Sequence, residues 1–129
     1  MAAQLLLYPM VAADWSAGRG PDAPLLSAAD VQWFRDHYLA SDADRYNPLA
    51  APLAAADLAG VAPAVVATAG HDPLAPEGEA YAERLTAADV DVAHHHAPSL
   101  CHGFCSLTDD VPAAAEVTGD IAAAFGERL

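Results

Sequence analysis

Apolar runs and stretches of helical periodicity alternate along this chain. Residues 4–8 (Gln-Leu-Leu-Leu-Tyr) form a short, almost continuous apolar run stopped by Pro9, the pattern of a strand covered on both faces. Residues 64–69 (Ala-Val-Val-Ala-Thr-Ala) read the same way and end at Gly70, and residues 90–95 alternate as a third strand. Between the first two, Ser27 opens a helix, because Asp30 stands three residues on in a pattern resembling a capping box. Val31, Phe34 and Tyr38 then fall at i, i+3 and i+7 and give that helix an apolar face. Pro76 starts a second helix with Tyr81, Leu85 and Ala88 along one side, and Glu77 and Glu79 sit in its N-terminal turn, where the helix dipole favours them. Beyond Pro112, Val117, Ile121, Ala124 and Phe125 make the stripe of a last helix.

Strands alternating with helices predict βαβ units, hence an α/β fold with about three parallel strands. Three parallel strands are a small sheet with two open edges, which hints at missing sheet. Residues 47–63, with Pro48, Pro52, Gly60 and Pro63, predict an extended, looping connection. The segments on either side are too small to stand alone, so residues 1–129 are expected to form one domain.

Composition narrows the classes. Apolar residues make up 54 % of 129 positions, which argues against disorder, although much of that share is alanine and implies a thin core. The formal charge is −13, with five arginines and no lysine. Phosphate backbones and anionic lipid would repel such a chain, so neither nucleic acid nor a membrane surface is an expected partner. No apolar run approaches the roughly 20 residues that span a bilayer, and the first residues lack a basic leader. Cys101 and Cys105 make no disulfide framework, so a cytoplasmic protein is expected.

In a parallel sheet the C-terminal strand ends share one edge, where open α/β folds place their sites. Asp72 follows the second strand, and His102 lies beyond the third. Neighbouring strands run about 4.8 Å apart, close enough for a carboxylate to reach an imidazole from the next loop. That pair is what a general base needs. Taken alone, an Asp in a Gly-x-Asp-Pro sequence also reads as ordinary turn chemistry.

The order of short motifs adds more. Gly70-His71-Asp72-Pro73-Leu74, then Glu77-Gly78 and Tyr81-Ala82-Glu83-Arg84-Leu85, resembles the G-x-D-P-L…E-G…Y-A-x-x-L stretch of hormone-sensitive-lipase-like esterases. His102-Gly103-Phe104 is similar to that family's H-G-F motif, and Tyr8-Pro9, Asn47-Pro48 and Pro52-Leu53 fall in the family's order. The resemblance covers nearly the whole chain and implies the C-terminal half of an α/β-hydrolase. It further implies that Asp72 and His102 are the last two members of a Ser-Asp-His triad acting on a small-molecule carboxylic ester. Residues 12–63 would then be connecting loops and a helix near the acyl or alcohol pocket.

The departures set the limits of that expectation. The family's H-G-G-G oxyanion motif and G-D-S-A-G nucleophile elbow do not occur in this sequence, so the chain alone is expected to be inactive. Its partner would be the missing N-terminal half or a second copy. Asp89 stands where the family usually has Gly. Asp14-Trp15-Ser16-Ala17-Gly18 only superficially echoes the elbow, lacking Gly two residues before Ser16 and the strand-turn-helix setting. His94, His95, His96, Cys101, His102 and Cys105 are dense in ligand types but meet no standard zinc spacing, so no metal or other cofactor is expected. His37 and His71 default to structural roles. The rival from another class is a non-catalytic interaction module whose open edge strand at Leu5–Leu7 is covered by a partner.

Overall fold

The most deeply buried strand lies in the middle of the sheet. The computed structural model describes residues 1–129. Its single sheet has the order β1 (Gln4–Leu7), β2 (Ala64–His71), β3 (Val92–Cys101), with both pairings parallel. Residues 64–69 of β2 are all buried, because helices cover both faces. The helix α2 (Ala75–Ala87) sets Tyr81, Ala82 and Leu85 against Ala64 and Val66. On the other face α3 (Pro112–Gly126) sets Ala114 and Ile121, together with Phe104, against Val65, Ala67 and Ala69. Alternate β2 residues therefore feed two separate apolar layers, as the two-residue strand period requires. No helix is long and apolar enough to cross a membrane.

The elements follow the sequence pattern in order, with differences at three ends. The third strand is not residues 90–95 but runs six residues further, through Pro98 to Cys101. Proline is tolerated there because β3 is an edge strand with one unpaired side. Gly70 does not end β2, which continues to His71 through an irregularity between Ala69 and His71. A Cβ at Gly70 would lie 2.1 Å from the Pro98 carbonyl oxygen, so only glycine lets the two strands approach there. The second helix begins at Ala75, with Pro76 inside its first turn.

The capping box of the first helix, α1 (Ala28–Tyr38), is present, with the Ser27 hydroxyl and the Asp30 carboxylate each bonded to the other's backbone N–H. Its expected apolar face is corrected: Val31 is buried, but Phe34 and Tyr38 are more than half exposed, and the other buried side chain is Arg35. The alanine- and proline-rich connection is packed down rather than looping free. The Leu53 N–H donates to the Val11 carbonyl at 2.9 Å, and the Arg84 guanidinium donates to the Leu53 and Ala55 carbonyls.

Candidate active site

Two strand ends build the site. Paired at His71 and Cys101, β2 and β3 release Asp72 and His102 side by side, and the His102 N–H donates to the His71 carbonyl at 3.2 Å. Asp72 has no exposed surface. One of its oxygens accepts the Leu74 N–H at 2.8 Å, which fixes the turn into α2. The other lies 2.9 Å from His102 Nδ1. The loop bearing Gly20 closes over this turn, its N–H donating to the Pro73 carbonyl at 3.1 Å. A Cβ at Gly20 would fall 2.0 Å from the Asp72 carbonyl oxygen, so any other residue would lift that cover. After His102, Gly103 takes a left-handed φ of +81° and turns the chain so that Phe104 plugs the core.

This arrangement decides the tautomer. A carboxylate only accepts, so Nδ1 carries the proton of the neutral imidazole and Nε2 keeps a free lone pair. An imidazole so held takes a proton at Nε2 while the carboxylate stabilises the resulting cation. Beside His102 opens a largely apolar hollow of about 340 Å³. Helix α1 contributes Val31, Phe34 and Tyr38 to its wall, Met10, Leu26 and Leu74 line it further, and Tyr8 adjoins His102.

The characteristic sequence pattern of a family described as alpha/beta hydrolase fold matches residues 1–106. The chain belongs to this family. Among curated relatives, the carboxylic ester hydrolase LipN of Mycobacterium tuberculosis is 40 % identical over 130 residues, covering 98 % of this chain and 35 % of that protein. Carboxylesterase NlhH of the same species is 41 % identical over 132 residues, covering 98 % of this chain and 41 % of its own length. The chain thus spans well under half of each. Among solved structures, DphMB1 superposes with a TM-score of 0.89 at 39 % identity, over 99 % of this chain and 44 % of that one. EstE1, a thermostable carboxylesterase cloned from a metagenomic library, gives 0.86 at 32 % identity over 100 % and 46 %. These relatives are ester hydrolases where their names state an activity, in agreement with the motif resemblance.

Elsewhere in this α/β-hydrolase chain the other candidate residues disperse. Ser16 is exposed, its N–H donates to Asp14 Oδ1 at 3.0 Å, and it lines a different hollow with Arg45 and Tyr46. His94 Nε2 and His96 Nδ1 both lie against the buried Thr68 hydroxyl, at 2.8 and 3.0 Å, and His96 Nδ1 is 3.3 Å from Glu79. Burial holds the His94 imidazole below its ordinary pKa. No three His, Cys, Asp or Glu side chains converge closely enough to hold a metal ion. His37 stacks on Trp33 with its Nδ1 2.7 Å from the Trp33 carbonyl, while His71 is exposed.

Two features escaped the sequence reading. The first is a fully buried ion pair between Arg35 and Glu77, each 1 % exposed. Glu77 also accepts the Val11 and Ala12 N–H groups at 2.7 and 3.1 Å. Arg35 at i+4 from Val31, inside the supposed apolar face, was the available signal. The second is Tyr8, which leaves the end of β1 with a left-handed φ of +39° and packs its ring on His102.

Proposed function

We propose that this chain supplies the general base, His102, and its orienting carboxylate, Asp72, to a serine-dependent carboxylic ester hydrolase whose nucleophile and oxyanion donors lie outside these 129 residues. The observation that carries this reading is the 2.9 Å contact between His102 Nδ1 and the buried Asp72, opening on an apolar hollow. The serine hydroxyl gives its proton to His102 Nε2 as its oxygen adds to the ester carbonyl. His102 then returns that proton to the leaving alkoxide, and the same base activates the water that releases the acyl group. Asp72 stays ionised throughout and stabilises the imidazolium.

The substrate is a small-molecule ester whose apolar acyl or alcohol part rests against Val31, Phe34 and Tyr38. Residues 1–129 are on this reading part of one α/β-hydrolase domain, and a cytoplasmic setting accords with the two free cysteines. The relatives do not favour the interaction-module reading.

The test replaces the matched portion of NlhH with this chain and follows p-nitrophenyl butyrate hydrolysis. The chimera should be active, His102→Ala should abolish turnover, and Asp72→Asn should lower kcat by about 10⁴-fold. This chain alone should show only background hydrolysis, the same with and without His102→Ala. Activity of the chimera that survives His102→Ala refutes the assignment.

A further inference from the structure

Tyr8 takes no part in the proton transfers above, yet its ring covers one side of the base. The Tyr8 and His102 ring centroids are 4.7 Å apart at a tilt of 55°, and Phe104 meets the same tyrosine ring nearly edge-on at 5.4 Å. Strict strand alternation would send Tyr8 to the face of Leu6, which packs with the Leu85 layer. Instead Leu7 and Tyr8, neighbours in sequence, both pack against the Phe104 layer. The left-handed backbone at Tyr8 is what breaks the alternation. Bulky residues rarely adopt that conformation, which is strained and persists only where surroundings impose it. Here the Tyr8 N–H is held by the Ala67 carbonyl at 2.7 Å, extending the ladder one residue beyond β1 while the side chain is re-aimed.

The hydroxyl has another environment. Burial, with Cys105 beside it, pushes the Tyr8 phenol up to about 12, so it stays protonated at any working pH. What Tyr8 offers His102 is a ring face and edge, with a hydroxyl that does not ionise in the range of catalysis. An imidazole with one hydrogen bond and a partly exposed ring retains freedom about its outer torsion, which is broad for such side chains.

We propose that Tyr8 is a positioning residue for the base: its re-aimed ring holds the His102 imidazole in the orientation that keeps Nδ1 on Asp72 and Nε2 free. This rests on the Asp72–His102 reading, and its test separates the two.

The first readout is magnetic resonance of this chain with labelled histidine. The wild type should show cross-relaxation between the Tyr8 and His102 rings and a His102 Nδ1 proton protected from solvent exchange. Tyr8→Phe should keep that protection, whereas Tyr8→Leu should lose it by about tenfold or more, with amide signals away from the site unmoved. In the active chimera, Tyr8→Leu should lower kcat by roughly 10- to 100-fold with KM changed less than about twofold, and Tyr8→Phe should restore the rate. Absence of ring–ring cross-relaxation in the wild type overturns the proposal even if the leucine variant does not fold. So does a leucine variant with full protection and rate, or a phenylalanine variant as impaired as leucine. If His102→Ala inactivates while Tyr8→Leu is silent, only the positioning role falls. If His102→Ala is itself silent, the catalytic reading falls.

Discussion

The sheet and the α1 wall of the pocket are fastened differently. Around β2 the buried groups are apolar on both sides, with Val65, Val66, Leu85 and Phe104 all inaccessible to solvent. Such contacts are non-directional, and their strength follows buried area and packing. Helix α1 buries one aliphatic side chain, Val31, and one cation, Arg35. The Arg35 guanidinium lies 4.1 Å over the Trp15 ring, donates to the Ala12 carbonyl and pairs with Glu77 in the first turn of α2. A directional anchor specifies position more than it adds stability, because desolvating two charges offsets much of their attraction. Glu77 follows Asp72 by five residues, so the anchor ties the pocket wall to the same turn that carries the carboxylate of the site.

The largest effect should come from breaking that anchor on one side only. Glu77→Ala strands Arg35 and leaves the Val11 and Ala12 N–H groups without their acceptor, at a cost of about 3–5 kcal/mol in urea unfolding. Leu85→Ala, in the apolar layer, should cost about 2–5 kcal/mol. The two regions separate by pH rather than by size. Burial raises the Glu77 carboxyl above its ordinary value near 4.5, against the pull of Arg35 and the two N–H groups. The folded chain therefore binds this proton more readily than the unfolded one, and the contribution of Glu77 to stability falls as pH rises from about 4.5 through the raised pKa. Measured against Glu77→Gln, the wild type should gain relative stability as pH is lowered through that window. The Leu85→Ala difference should stay flat. A flat Glu77→Gln difference would mean the anchor is no more pH-sensitive than the apolar layer.

The pocket wall should respond in the opposite sense to the core. Phe34 and Tyr38 are more than half exposed, so Phe34→Ala and Tyr38→Ala should change stability by no more than about 0.5 kcal/mol. Both line the hollow beside His102, so in the chimera with NlhH they should raise KM for p-nitrophenyl butyrate while Leu85→Ala leaves it unchanged. Equal effects on KM and on unfolding would erase the distinction between wall and core.

That distinction also marks what could be read from the sequence. The β2 strand was legible because a strand buried on both faces writes an unbroken apolar run, and the Ser27–Asp30 cap because its bonds are local. That Asp72 and His102 stand side by side was legible because parallel strand ends share an edge, whereas the roles expected of them came from the motif resemblance. Helical periodicity, by contrast, cannot tell a residue facing a core from one facing a substrate hollow, so Phe34 and Tyr38 read only as an apolar face. Glu77 read as a residue placed for the helix dipole, since its partner lies 42 residues away on another helix. Tyr8 read as the last residue of a strand because nothing in a Leu-Leu-Leu-Tyr run announces a left-handed backbone.

A modest gain in stability, rather than a loss, should appear on the sheet side, at the turn between α2 and β3. The Val90 N–H donates to the Leu85 carbonyl and the Asp89 N–H to the Thr86 carbonyl, both at 3.1 Å, the paired bonds of a Schellman cap. Val90 and Leu85 belong to the same apolar layer, which supplies the hydrophobic contact that goes with such a cap. Asp89 occupies the left-handed position, with φ +58°, where glycine carries no Cβ penalty. The motif resemblance places glycine there too, and the geometry gives the reason. Asp89→Gly should therefore stabilise the chain by about 0.5–1 kcal/mol, the relieved backbone strain outweighing the added freedom of the unfolded state. Asp89→Ala removes the same charge but keeps the Cβ, so it should fall below glycine in urea midpoint. If alanine gained as much as glycine, the benefit would come from removing a negative charge at a helix C-terminus, and the backbone at Asp89 would be unstrained.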